Sequence, residues 1–128
     1  NLEIETCCAD LFDYLKNLAL KKNKEYDLII LDPPAFTKSK STIKNALRGY
    51  QEINYLAMKC LPRGGYLVTA SCSHYASEED FTAAIFAASL KAGVNLRVVK
   101  KAYAAFDHPE LMGVDETKYL KFFIFQVV

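Results

Sequence analysis

Tyr26-Asp27-Leu28-Ile29-Ile30-Leu31-Asp32-Pro33-Pro34 is the stretch that decides the fold. Leu28 to Leu31 is an unbroken apolar run, the pattern of a strand buried in a parallel sheet. The two prolines can neither extend a strand ladder nor carry a helix, so the chain turns out of the sheet at Asp32. On the amino-terminal side, Leu11, Phe12, Leu15, Leu18 and Ala19 recur at helical spacing. Asp10 stands where an N-cap belongs, and Lys21, Lys22 and Lys24 stand where cations suit the end of a helix. Leu2 to Cys8 alternates weakly and predicts a strand ahead of that helix.

On the carboxyl side, residues 35–42 read as a loop and residues 43–61 as a helix. Its buried stripe is Ile53, Leu56, Ala57, Cys60 and Leu61, and Pro62-Arg63-Gly64-Gly65 stops it. Tyr66 to Ala70 is a second apolar strand, running into Ser71-Cys72-Ser73-His74. Ser77 followed by Glu78, Glu79 and Asp80 starts a helix that Gly93 ends. Leu96 to Val99 and Lys118 to Val128 are the last two strands, with Asp107-His108-Pro109 in the irregular stretch between them. Alternating strands and helices predict an α/β fold: a mostly parallel sheet with helices on both faces and a terminal antiparallel hairpin.

The 128 residues fit one domain, 1–128. Half the chain is apolar, 52%, against 24% charged, which is enough for a core and too much for disorder. The net charge of +1 excludes a generally basic nucleic-acid coat but allows a local basic patch. No apolar run is long enough for a membrane span. The four cysteines, Cys7, Cys8, Cys60 and Cys72, form no C-x-x-C pair. Neither a zinc site nor a disulfide scaffold is expected, and a reducing, cytoplasmic compartment is.

In open α/β sheets, ligands bind beyond the carboxyl ends of the strands. Both Asp32-Pro33-Pro34 and Ser71-Cys72-Ser73-His74 lie there, on one rim. Asp32 in a stiff turn can orient or protonate a base nitrogen, or can merely cap the turn. Cys72 can be a nucleophile, or a small residue filling a strand end. Cys7, Cys8 and Cys60 suit the second description. His74 and His108 can act as bases or can be surface polar residues. Between Thr37 and Gln51 the chain carries Lys38, Lys40, Lys44 and Arg48 and no acid, a segment able to hold phosphates or simply a solvated face. Phe36 and Tyr50 can stack on a base or belong to the core. Asp10, past its own strand, can take a nucleoside's polar groups as well as cap a helix.

In chain order, Asp32-Pro33-Pro34-Ala35-Phe36, Lys38-Ser39-Lys40, Gly49-Tyr50-Gln51-Glu52-Ile53-Asn54, Gly64-Gly65, Ser71-Cys72-Ser73-His74, Asp107-His108-Pro109 and Tyr119-Leu120-Lys121 carry a resemblance over nearly the whole chain. The chain resembles the carboxyl-terminal half of the class I, Rossmann-like, S-adenosylmethionine-dependent 23S rRNA methyltransferases that make 5-methylcytosine. That resemblance implies S-adenosylmethionine as cofactor, 23S rRNA as partner, and catalysis by Cys72 and Asp32. Cys72 would attack C6 of a flipped cytosine while Asp32 meets N3. Asp10, Leu11, Phe12, Asp32 and Pro33 would line the cofactor. Pro34, Phe36, Lys38, Lys40, Arg48, Tyr50, Ser73 and His74 would face the substrate.

The chain departs from the family's pattern in two places. Pro34 and Ala35 stand where many RNA cytosine-5 enzymes have a second cysteine, and no G-x-G occurs to cradle the methionine part of the cofactor. The fold implied is therefore partial. In the family's strand order a further strand lies beside the one ending at Asp32. Its absence predicts an open apolar sheet edge, covered by a second copy in a homodimer, and weak or no cofactor binding. Two alternatives remain: an rRNA nucleobase N-methyltransferase that needs no cysteine, and an inactive fragment that only dimerises or binds RNA.

Overall fold

The computed structural model describes residues 3–21, 24–37 and 39–128. Helix α1 (Leu11–Ala19) begins at Asp10, whose carboxylate accepts from the Asp13 amide. Strand β1 (Leu28–Leu31) follows, then a short 3-10 turn (Lys40–Thr42) and helix α2 (Ile43–Cys60). Strand β2 (Tyr66–Ser71) leads to helix α3 (Glu78–Ala92), and strands β3 (Leu96–Ala102) and β4 (Lys121–Val127) complete the sheet. Helix α3 is bounded as its sequence dictates. Ser77 caps it by accepting from the Asp80 amide, and Gly93 closes it at φ 72°, a left-handed conformation that glycine adopts without strain.

The four strands lie in the order β1-β2-β4-β3. Only β1 and β2 are parallel; β4 runs antiparallel to both of its neighbours. The sheet is thus mixed, not mostly parallel. The reason is the final hairpin: β4 enters between β2 and β3 and makes both of its pairings antiparallel.

The expected helices on both faces are also corrected. Ile29, Leu67, Phe123 and Phe125 point to one face and share a single core with Leu15 and Leu18 of α1, Tyr50, Ile53 and Ala57 of α2, and Phe81 and Ile85 of α3. All three helices cover that face. The other face carries Leu28, Ile30, Tyr66 and Val68 from β1 and β2, and Phe122 and Ile124 from β4, with Ile30 63% and Leu28 49% exposed.

The strand expected over Leu2 to Cys8 is not formed. Leu2 lies outside the described residues, and residues 3–8 are exposed and irregular, with no strand beside them to pair with. Cys7 and Cys8 are accordingly exposed, not core-filling. Cys60 is core: its thiol donates to the Leu15 carbonyl at 3.5 Å, and burial pushes its pKa up.

An aromatic series ties the layers together. Phe12 of α1 meets Phe36 at 6.4 Å between ring centres, Phe36 meets Tyr50 at 4.7 Å, and Tyr50 meets Phe81 edge-on at 5.0 Å. Phe81 then stacks on Phe123 of β4 at 5.8 Å. Gly49 makes the second of these contacts possible, since a Cβ there would stand 3.3 Å from the Phe36 ring.

Candidate active site

The parallel pairing of β1 with β2 builds the site. Leu31 pairs with Thr69, so Asp32-Pro33-Pro34 and Ser71-Cys72-Ser73 leave adjacent strands at one rim. Asp32 and Pro34 are exposed, Pro33 is buried, and Cys72 is half-buried. The loops are cross-tied beneath. The Ser73 hydroxyl donates to the Thr37 carbonyl at 3.4 Å, and the Ser71 hydroxyl donates to the Tyr50 phenol oxygen at 2.9 Å. Tyr50 also packs on the Phe36 ring at 4.7 Å, so one side chain touches both loops. Its burial raises its pKa, and the Ser71 hydrogen bond partly offsets the rise.

Two expected substrate contacts are corrected here. Tyr50 is 0% exposed and cannot stack on an incoming base; its ring is part of the core and its hydroxyl accepts from Ser71. Ser73 is buried as well, and its hydroxyl is spent on Thr37. Phe36 is half-buried between Phe12 and Tyr50. His74 is exposed and lies against the Tyr75 ring at 3.8 Å. His108, in an exposed loop, pairs with Asp107 at 3.2 Å.

Asp10, Leu11 and Phe12 open α1 on the same rim, Phe12 touching Phe36. One carboxylate oxygen of Asp10 is engaged as the N-cap, and the residue is exposed. Lys44 and Arg48 are exposed on α2 and line a groove against α3 with Gln51 and Asp80. Lys38 and the Lys40 side chain lie outside the described residues. Among the described residues, no group of three or more His, Cys, Asp or Glu could hold a metal ion.

Two residues at this rim were not assigned a role by the sequence. Thr37, buried, accepts from the Ser39 amide, exchanges a hydrogen bond with the Thr42 hydroxyl at 2.6 Å, and offers its carbonyl to Ser73. Lys121 is 4% exposed, and its ammonium donates to the carbonyls of Ser73 and Ala76. The signal for Lys121 was present: in Lys121-Phe122-Phe123-Ile124-Phe125, period-two alternation places it on the same side as Phe123 and Phe125.

No protein-family profile matches the chain. It is 35% identical, over 99% of its own length, to a Methanocaldococcus jannaschii protein provisionally named a ribosomal RNA large subunit methyltransferase. It is also 35% identical, over 93% of its length, to ribosomal RNA large subunit methyltransferase I of Shigella dysenteriae, and 37% identical to that of Yersinia pestis. The chain spans about a third of the length of these relatives, 34% and 30% for the first two. Its backbone is similar to that of SMU.776, provisionally described as a methyltransferase and solved with SAH. The TM-score is 0.75 at 22% identity, covering 93% of this chain and 30% of that one. A mixed sheet whose parallel pair delivers Asp32-Pro33-Pro34 and Cys72 to one rim, and sequence identity along almost all of its length, together make this chain similar to about a third of the length of proteins named ribosomal RNA large subunit methyltransferases.

Proposed function

We propose that the chain is the carboxyl-terminal part of the catalytic domain of an S-adenosylmethionine-dependent methyltransferase that modifies C5 of a cytosine in 23S rRNA. One observation carries the reading: an exposed carboxylate, Asp32, and a half-buried thiol, Cys72, stand on neighbouring parallel strands at one rim, with their loops tied together through Tyr50, Ser71, Ser73 and Thr37.

C5 of neutral cytosine is a poor nucleophile. In the proposed reaction the Cys72 thiolate adds to C6 while Asp32 holds a proton at N3, moving electron density to C5. C5 takes up the methyl group, a base removes the C5 proton, and the thiolate leaves C6. The cofactor supplies an electrophilic methyl on a sulfonium. Asp10, Leu11 and Phe12 would form one wall of its site, an exposed N-cap carboxylate beside an aromatic edge on this rim, with Pro33 buried behind the turn at Asp32. Pro34, Phe36, His74 and Arg48, together with Lys38 and Lys40, are proposed to meet the RNA. The relatives' names support rRNA as substrate. Free cysteines throughout support a cytoplasmic setting, and no helix among the described residues is long and apolar enough to cross a membrane.

Cys72→Ser in the full-length protein separates this reading from N-methylation. It abolishes methyl transfer if carbon is the target; retained activity overturns the C5 assignment. Titration calorimetry of this chain with S-adenosylhomocysteine tests the cofactor wall. Micromolar binding means the described wall suffices. No binding leaves the chain an inactive part of such an enzyme. The β1 edge and open face support a further proposal, that this chain in isolation pairs with a second copy there.

A further inference from the structure

We propose that Lys121 is the positioning residue of the Cys72 loop, fixing that loop's backbone from the core side and setting a positive charge beside the place where the thiolate forms. The inference rests on the reading of Cys72 as nucleophile. Lys121 is the first residue of β4, directly paired with Ser71, and its side chain takes the same inward register as Phe123. At 4% exposure its ammonium is taken from water, which is costly unless its donors are satisfied. Two of them are, by the carbonyls of Ser73 and Ala76, one on each side of the turn that follows Cys72. A single side chain thus clamps the segment from Cys72 to the N-cap of α3.

The choice of a lysine has a reason beyond the clamp. Among the described residues, no carboxylate is within ion-pair distance of Lys121. Glu78 is engaged by Lys101 at 2.7 Å and by the Tyr103 hydroxyl at 2.9 Å. Burial lowers the Lys121 pKa, and the negative charges that oppose this are Cys72 and, less strongly, Glu78. Lys121 pairs with Ser71 and donates to the Ser73 carbonyl, so it is tied to the residues on either side of Cys72. A purely structural clamp would not need a charge. In catalysis, a thiolate held by a fixed loop next to a fixed cation needs no reorganisation as it forms and leaves. No covalent step is assigned to Lys121 itself.

The test is alkylation of Cys72 in this chain, followed by peptide mass mapping, with neutral iodoacetamide and anionic iodoacetate. The ratio of the two rates reads local charge and is insensitive to mere loosening of the loop. Folded wild type gives a higher iodoacetate-to-iodoacetamide ratio at Cys72 than the same chain in concentrated urea; an unchanged ratio overturns the proposal without any variant. Lys121→Met lowers the folded ratio about threefold or more and speeds amide exchange over residues 72–77 about tenfold. Cys7 and Cys8 serve as internal controls whose ratio stays constant. Lys121→Gln, which keeps donors without charge, loses the ratio but retains more of the exchange protection, and Lys121→Arg restores both. Folded Met and Gln variants with wild-type ratios and exchange overturn the proposal. Methylation by a full-length Cys72→Ser protein would refute the nucleophile reading, yet leave these ratios as a separate result.

Discussion

A phenol wholly out of contact with water decides how the rim is held. The Tyr50 hydroxyl accepts from Ser71 and its ring packs on Phe36, so the side chain bridges the loop after β1 and the end of β2. Tyr50→Phe keeps the ring packing on Phe36 and Phe81 but leaves the Ser71 hydroxyl without its acceptor. The expected cost is about 1–2 kcal/mol in urea unfolding, with faster amide exchange at both loops; unchanged exchange there would separate the bridge from the rim's order. Sequence could place Tyr50 near the rim but not decide between stacking and core, because both demand an aromatic and only burial distinguishes them. Ser73 failed for the same reason. The shared rim of Cys72 and Asp32 was legible because strand ends followed by prolines, or by a Ser-Cys-Ser run, mark where the chain leaves a sheet.

At the scale of the element, α3 shows local rules and tertiary contact acting together. Its first turn carries Glu78, which pairs with Lys101 on β3 and accepts from Tyr103. Those partners hold the Glu78 carboxyl below the usual carboxylate range, and Glu78 in turn pushes the Lys101 ammonium above the usual lysine range. A depressed acid stabilises the fold above its unfolded pKa and loses that contribution as pH falls through its folded pKa. A raised lysine loses its contribution only as pH rises through its own folded pKa. Wild type is therefore expected to exceed Glu78→Gln in stability by about 0.5–1 kcal/mol from mildly acid pH to near 10, since the pair is partly solvated. The gap closes on the acid side; chemical unfolding at pH 7 and pH 3 checks the sign. Caps such as Asp10, Ser77 and Gly93 were readable because each answers to its own few neighbours. The weak alternation of Leu2 to Cys8 was misleading because a strand also needs a partner edge, which local pattern does not supply.

For the molecule as a whole, the unequal faces matter most. Three helices shield one side of the sheet, while Leu28, Ile30 and Tyr66 stay in water on the other, beside a β1 edge with free ladder positions. The chain alone is expected to associate, so light scattering should give a mass above 14.4 kDa. Ile30→Lys, which leaves the helix-covered core untouched, should return the chain to that value; a wild-type monomer would refute self-association. Sequence order revealed the α/β alternation but not the one-sided layering. Whether a connecting helix crosses above or below a sheet is set by the handedness and neighbour of each crossover, which depends on strand order. Nor could it reveal that the last strand runs antiparallel to both neighbours, since adjacency in sequence suggested only a hairpin at the margin.

That insertion of β4 between β2 and β3 governs the order of events during synthesis. Strands β2 and β3 emerge first and have no ladder to share, for the strand that joins them follows both. A nascent chain can form α2, α3 and the β1–β2 pair early, but β3 cannot join the sheet until residues 121–127 clear the ribosome. Lys121 leads that strand, and its carbonyl contacts at Ser73 and Ala76 form only when it docks. The Cys72 loop of a chain without β4 thus stays unset, and the ordering of this rim is coupled in time to closure of the sheet.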